Sequence, residues 1–263
     1  MKHQLLVTSV AAWTLAGCVT GRAEPTRVPL AATNVRCPAP SPPALTNLDP
    51  GLPTPGTVYD LTVPKGLRRL DVVHAADLSL PTGRLVFGSG GDIGFPLERR
   101  VLDLGVAGGT YPVNLLIAEF DSGDRRVAFG ELVVRTSPIV RWTGPRDLLF
   151  TTDGGDAGYE SAEGSTYAST GDGRWLFDSI RYAGEHDPAL LCQHVEFTDR
   201  SPLNVVIFAT GWGDGVYPLA LGYDEKDRIA AVITYTYVVP WRLSGLPGSP
   251  PPPVLEREAK RGG

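Results

Sequence analysis

Apolar positions along this chain come in short runs rich in β-branched and aromatic residues. Examples are Arg84-Leu85-Val86-Phe87, Val127-Ala128-Phe129-Gly130-Glu131-Leu132-Val133-Val134, Asn204-Val205-Val206-Ile207-Phe208-Ala209 and the stretch 229–239. Runs of this length and composition predict strands. Turn signals separate them. Asp121-Ser122-Gly123-Asp124 lies between 111–120 and 127–134, and Asp224-Glu225-Lys226-Asp227 lies between 216–223 and 229–239. Both arrangements predict antiparallel hairpins. Thr234, Thr236 and Val238 alternate with Tyr235, Tyr237 and Val239, the pattern of a strand with one face more polar. No long helical period occurs, and short helical turns fit only near 160–168 and 179–191. The expected fold class is mainly β: an antiparallel β-sandwich or strongly curved sheet with a few short helices.

The ends of the chain depart from this pattern. Met1-Lys2-His3-Gln4 gives a short positive start, an apolar stretch follows from Leu5, and small residues close it at Ala16-Gly17. That order is a secretory signal peptide, too short in its apolar part for a permanent span, which needs about 20 residues. Leu15-Ala16-Gly17-Cys18 resembles the lipobox of bacterial lipoproteins. The resemblance implies cleavage before Cys18 and acylation of its thiol, with the lipid bilayer as first partner. Several acyl chains anchor durably where one does not, since each buried CH₂ contributes about 0.8 kcal/mol. Val19, rather than Asp, follows the Cys. By analogy with lipoprotein sorting this favours the outer membrane where the host has one. The layout expected is therefore a signal peptide over 1–17, a lipidated Cys18 and Pro-rich tether over 18–56, a β domain over 57–243, and a disordered Pro-rich, charged tail over 244–263.

Composition narrows the classes further. The 263 residues include 31 Gly and 24 Pro. These residues cost about 1 and 3 kcal/mol in a helix interior, which disfavours a helix bundle. Formal net charge is −5, and no long basic run occurs. A nucleic-acid partner is disfavoured, because phosphate binding needs clustered Lys and Arg. Of three cysteines, acylation of Cys18 leaves Cys37 and Cys192, an even number for an oxidising compartment. They are a disulfide candidate, with two unpaired thiols as the alternative.

Candidate chemistry gathers on two Gly-rich loops. Thr210-Gly211-Trp212-Gly213-Asp214-Gly215-Val216-Tyr217-Pro218 sets an aromatic and a carboxylate among three glycines, between two apolar runs. Trp212, Asp214 and Tyr217 are candidate binding residues there, and the alternative is a tight structural turn. Thr152-Asp153-Gly154-Gly155-Asp156-Ala157-Gly158 adds Asp153 and Asp156. Closely spaced carboxylates are how a hard cation collects oxygens, so Ca²⁺ is the one cofactor considered, with Asp153, Asp156 and Asp214 as weak ligand candidates. No further cofactor is expected. His186, Cys192 and His194 carry zinc-ligand chemistry at a spacing that matches no familiar zinc module. No nucleophile elbow, HExxH, phosphate loop or dinucleotide fingerprint is present, so catalytic residues are left unassigned.

Several of these segments resemble a bacterial family catalogued as domain of unknown function 4241. The resemblance runs from about Leu78 to Val239. It is carried by Gly83-Arg84-Leu85-Val86, Gly109-Thr110-Tyr111-Pro112-Val113, Arg126-Val127-Ala128, Pro138-Ile139-Val140-Arg141-Trp142, Asp156-Ala157-Gly158, Gly211 to Pro218 and Gly222-Tyr223-Asp224. After Asp156-Ala157-Gly158 this chain has Tyr159-Glu160-Ser161, where family members often have Thr-Gly and an aromatic. The resemblance implies a shared domain and no mechanism. The expected role is a membrane-anchored lipoprotein of the cell envelope, with a non-catalytic binding or structural β domain whose partner is an envelope protein or a glycan. Two alternatives stand beside it: a carboxylate- or Ca²⁺-dependent hydrolase using Asp214 and Asp156, and a Ca²⁺-stabilised adhesion module.

Overall fold

The computed structural model describes residues 32–37, 41–52, 63–89, 101–144, 148–170, 191–248 and 251. The signal segment 1–17, Cys18, His186 and, up to residue 190, the helical turn expected near 179–191 lie outside the described residues, as does the tail from 252. The described chain forms two antiparallel sheets. The first holds β1 (Ala32–Arg36), β10 (Cys192–Phe197), β11 (Asn204–Ala209), β9 (Asp156–Ser161), β3 (Arg84–Gly88) and β4 (Val101–Asp103), in that order across the sheet. The second holds β2 (Leu67–Leu80), β5 (Gly109–Phe120), β6 (Arg125–Val133), β13 (Ile229–Tyr235), β12 (Gly215–Tyr223) and β7 (Arg141–Thr143), and β8 (Leu149–Thr152) also pairs with β12. A short helix, α1 (Ala162–Thr170), follows β9, with the Ser161 hydroxyl accepting a bond from Gly164 N as its N-terminal cap. A 3₁₀ turn spans Trp241–Ser244. The fold is mainly β, as the short apolar runs imply.

Both expected hairpins form. β5 turns into β6 through 121–124, where Gly123 takes φ +82°. β12 turns into β13 around Asp224, whose buried carboxylate accepts bonds from Lys226 N, Arg228 N, the Arg228 guanidinium and the Ser137 hydroxyl. The Arg228 guanidinium holds this carboxyl well below the usual carboxylate range, against the opposing effect of burial.

The sheets pack face to face. Phe208 on β11 lies against Gly130 on β6, where an added Cβ would stand 2.4 Å from the Phe208 ring. Tyr159 on β9 crosses the same gap, its hydroxyl 3.1 Å from Gly130 O and 2.7 Å from Thr234 Oγ1. Burial raises the Tyr159 pKa, so this phenol stays a proton donor. The alternation at 234–239 resolves differently from a half-polar strand. β13 ends at Tyr235, Tyr237 turns to φ +61°, and Thr234 and Thr236 are fully buried. Their hydroxyls are satisfied inside: Thr236 Oγ1 donates toward Val127 O (2.6 Å) and Ala128 O (2.9 Å), the carbonyls at an irregularity in the β5–β6 register.

The outer face of the second sheet is covered as well. Phe129 and Tyr235 stack at 4.7 Å between ring centres, and Trp241 meets both edge-on. Beside this aromatic layer runs the stretch 41–52, expected as free tether. Ser41 O accepts from His74 N at the β2 edge, Leu48 is buried, and Asp49 N donates to Ser244 O. Glu131 fixes the strap. Its fully buried carboxylate accepts from Thr46 Oγ1 (2.5 Å), Asn47 N (2.9 Å), Asn47 Nδ2 (2.9 Å) and Asn114 Nδ2 (3.2 Å). Just before the strap, β1 pairs with β10, and Cys37 is disulfide-bonded to Cys192 with Cα atoms 5.5 Å apart. Packed against the sheets, then, are 32–37 and 41–52, ahead of residue 57. Proline limits regular pairing but leaves carbonyls and side chains free to dock. Past 243, Ser244, Leu246 and Pro251 are buried as well.

Candidate functional site

The two Gly-rich loops meet at one end of the sandwich. The first joins β8 to β9. Thr152 Oγ1 accepts from Gly154 N (3.3 Å) and Asp156 N (3.2 Å), a hydroxyl-closed turn. Asp156 points into this turn, its Oδ1 accepting from Ser89 Oγ (2.8 Å) and Thr152 Oγ1 (3.1 Å). The second loop joins β11 to β12. Thr210 N donates to Gly155 O (2.8 Å), tying the loops together, and a Cβ on Gly155 would lie 3.1 Å from Gly213 Cα. Thr210 Oγ1 and the Tyr217 hydroxyl both donate to Gly213 O at 2.7 Å. Gly211 is required twice over: its φ is +66°, and a Cβ there would fall 2.2 Å from Val238 Cγ2 and 2.8 Å from Val127 O.

This frame displays Trp212. The indole is 47% exposed, unusual for the largest apolar side chain, yet it is not loose. Its Nε1 donates to Tyr237 O at 3.2 Å, and Tyr237 is one of two non-glycine residues with positive φ among the described residues. The Arg126 guanidinium sits 4.4 Å from the indole centre, and the Phe120 ring 6.2 Å away. Arg126 is itself held, donating from Nε to Asp124 Oδ2 (2.7 Å) and from a terminal nitrogen to Gly211 O (2.6 Å).

The candidates read from the sequence thus separate into two kinds. Trp212, Asp153 and Asp214 are exposed on adjoining loops. Asp156 and Tyr217 are turned inward: Tyr217 is 2% exposed and its hydroxyl donates to Gly213 O. Among the described residues no group of three or more His, Cys, Asp or Glu side chains is arranged to hold a metal ion, so Asp153, Asp156 and Asp214 form no such set. Cys192 is taken by its disulfide and does not ligate. His194 is tied to Asn204 Nδ2 through Nε2 at 2.7 Å, and burial lowers its pKa despite the pull of Glu196 and Asp77. Arg126, Phe120 and Tyr237 were missed as parts of the site. They lie 85, 92 and 25 positions from the loop residues they touch, and no local signal marks such contacts.

The second loop and its flanking strands carry the most specific part of the family resemblance. Residues 177–234 match the model of a family described as protein of unknown function (DUF4241). The match takes in β10, β11, the Trp212 loop, β12 and most of β13. It is shorter than the span over which the sequence resembles that family, and it leaves Arg126 and the 152–156 turn outside. No curated protein and no solved structure matches the chain.

Proposed function

We propose that this chain is an exported, lipid-anchored envelope protein whose β-sandwich binds a partner through the face around Trp212, without catalysis. The observation that carries the binding role is the half-exposed, immobilised indole. An aromatic side chain already fixed by Nε1–Tyr237 O and by Arg126 loses little freedom on contact, which is the property of an interface anchor. The export role rests on the order Lys2, apolar run, Ala16-Gly17-Cys18, and a disulfide between Cys37 and Cys192 suits an oxidising compartment. A hydrolase using Asp156 and Asp214 has less support, because Asp156 Oδ1 is engaged by two hydroxyls while Asp214 stands in solvent.

Intact mass measured on protein extracted from host membranes tests the anchor. The expected species begins at Cys18 and carries acyl mass, and Cys18→Ala abolishes both the acylation and the membrane fraction. Unlipidated chains retaining Met1 in the cytosol would overturn the reading. For the binding role, a photoreactive residue at position 212 is expected to capture a defined envelope component in intact cells. A crosslinker at an exposed position on another face, such as Val140, is expected to miss it.

A further inference from the structure

We infer that strand β1 sets how the anchored domain stands. Its pairing brings the lipid tether in at the pole opposite the Trp212 loop. The loop is thereby turned away from the bilayer that holds Cys18 and is presented to a partner in the aqueous compartment, not to lipid. This rests on the acylated Cys18 and the binding role proposed above. The geometry is strand direction within one sheet. Ala32 pairs with Phe197 and Arg36 with Gln193, so β1 enters beside the β10–β11 turn. Glu196 pairs with Asn204 and Cys192 with Phe208, so β11 runs away from that turn. It ends at Ala209 and leads into Thr210, Gly211 and Trp212. The length of β11 alone puts about 20 Å between the tether's entry and the Trp212 loop.

The tether is short because the sandwich takes up most of the stretch expected to form it. Only residues 19–31 lie between Cys18 and Ala32. Fully extended, that stretch reaches at most about 50 Å, against about 130 Å for a chain free to residue 56. Beyond it β1 is laid along β10, the Cys37–Cys192 bond closes the far end of that strand pair, and 41–52 docks on the second sheet. To lay the Trp212 loop on the bilayer, the short stretch would have to double back past the whole length of β10 and β11. The charge of the loop is also wrong for lipid. Arg126, in contact with the indole, is engaged by Asp124 and Gly211 O, which leaves the exposed carboxylate of Asp214 to face anionic headgroups.

The experiment uses the acylated full chain, extracted from host membranes and reconstituted into phosphatidylethanolamine–phosphatidylglycerol vesicles with an energy acceptor on their headgroups. A donor fluorophore on an unnatural residue replaces either Arg200, in the β10–β11 turn, or Asp214, in the Trp212 loop; both positions are exposed. Energy transfer to the bilayer should be at least about twofold more efficient from position 200 than from position 214. A Gly-Ser spacer of about 20 residues inserted before Ala32 should bring that ratio close to one, because the domain then turns freely. Thermal midpoints equal to that of the unlabelled chain show that the labelled and spaced chains are folded. Equal transfer from the two positions, or stronger transfer from 214, would overturn the inference. So would a ratio that the spacer leaves unchanged, or a photoreactive residue at position 212 that captures lipid. Extracted chains without acyl mass at Cys18 would remove the anchor reading, and this inference with it, before any vesicle is made.

Discussion

Arg126 and Glu131 lie on the same strand, β6, and meet opposite surroundings. At Glu131 the chain doubles back: the 41–52 strap closes over the sheet, and four donors converge on one buried carboxylate. At Arg126 no described segment closes over. The guanidinium lies against an indole that remains half in solvent, although the guanidinium donates to Gly211 O and the indole to Tyr237 O. One end of the strand uses polar groups to seal; the other uses them to hold an apolar group open. Hydrogen bonds in both places fix geometry, but only the sealed end should make a large contribution to stability. The open end should contribute to contact with something else.

The largest effect is expected from opening the sealed end covalently. The Cys37–Cys192 bond spans a sequence separation of 155, and the chain-entropy argument gives about 5 kcal/mol for a loop of that size. Cys37→Ser/Cys192→Ser, followed by urea unfolding of the full chain, should show a loss of that order, with new protease sensitivity over 32–52. A loss under about 1 kcal/mol would mean that the strap holds itself without the bond. Next comes Glu131→Ala. It removes the shared acceptor of the Thr46 hydroxyl and both Asn47 donors and one of the two bonds of the Asn114 amide beneath the strap, and about 3 kcal/mol is the expected cost. Thr46→Val, which removes one of the four donors, should cost about 1 kcal/mol. Equal losses from the two changes would refute the description of Glu131 as a hub.

How much of this contrast was legible in the sequence follows from how local each part is. The hairpin turns at 121–124 and 224–227 announce themselves, because the residues that bend the chain are the ones that satisfy it: Gly123 at positive φ, and Asp224 bonding residues two and four ahead. The Trp212 loop was legible as a loop for the same reason. Its orientation was not. Gly211 is required because Val127 O on β6 and the Val238 side chain beyond β13 close on it, and the ring is set by Tyr237 and Arg126. The strap was the furthest from sight. Pro38, Pro40, Pro42 and Pro43 read as tether, and the residue that captures it is a single Glu within an apolar strand, 84 positions on from Asn47. A charged residue amid Phe129, Gly130, Leu132 and Val133 is the one trace of it, since a carboxylate rarely enters a core without assembled donors.

Trp212→Ala tests the open end directly. It removes one hydrogen bond, one exposed cation–π contact and part of a tilted ring contact. These sum to about 1 kcal/mol of stability, well below the strap variants. Thermal unfolding that drops as far as in Glu131→Ala would show that Trp212 is a structural plug and would remove the contrast.

The smallest effect sharpens the comparison at its hinge, where β10 carries both Cys192 and His194. Asn204 Oδ1 accepts from Ser79 N at 2.9 Å, which turns its Nδ2 toward Asp77 O and His194 Nε2, both at 2.7 Å. The imidazole must then offer a lone pair at Nε2. Protonation would set one N–H against another at the point where Asn204 links the two sheets. Burial acts in the same direction and lowers the folded-state pKa below its ordinary 6.5, with Glu196 and Asp77 opposing. The unfolded chain therefore takes up the proton first. Stability from this group is complete above about pH 7 and declines as the pH falls through 6.5 toward the lowered value. His194→Gln, whose side-chain oxygen can accept from the same amide, should flatten that decline without changing stability at neutral pH. Identical slopes between pH 5 and pH 7 in urea unfolding of the two chains would show that Asn204 links the sheets independently of the histidine, about as firmly as any single neutral hydrogen bond.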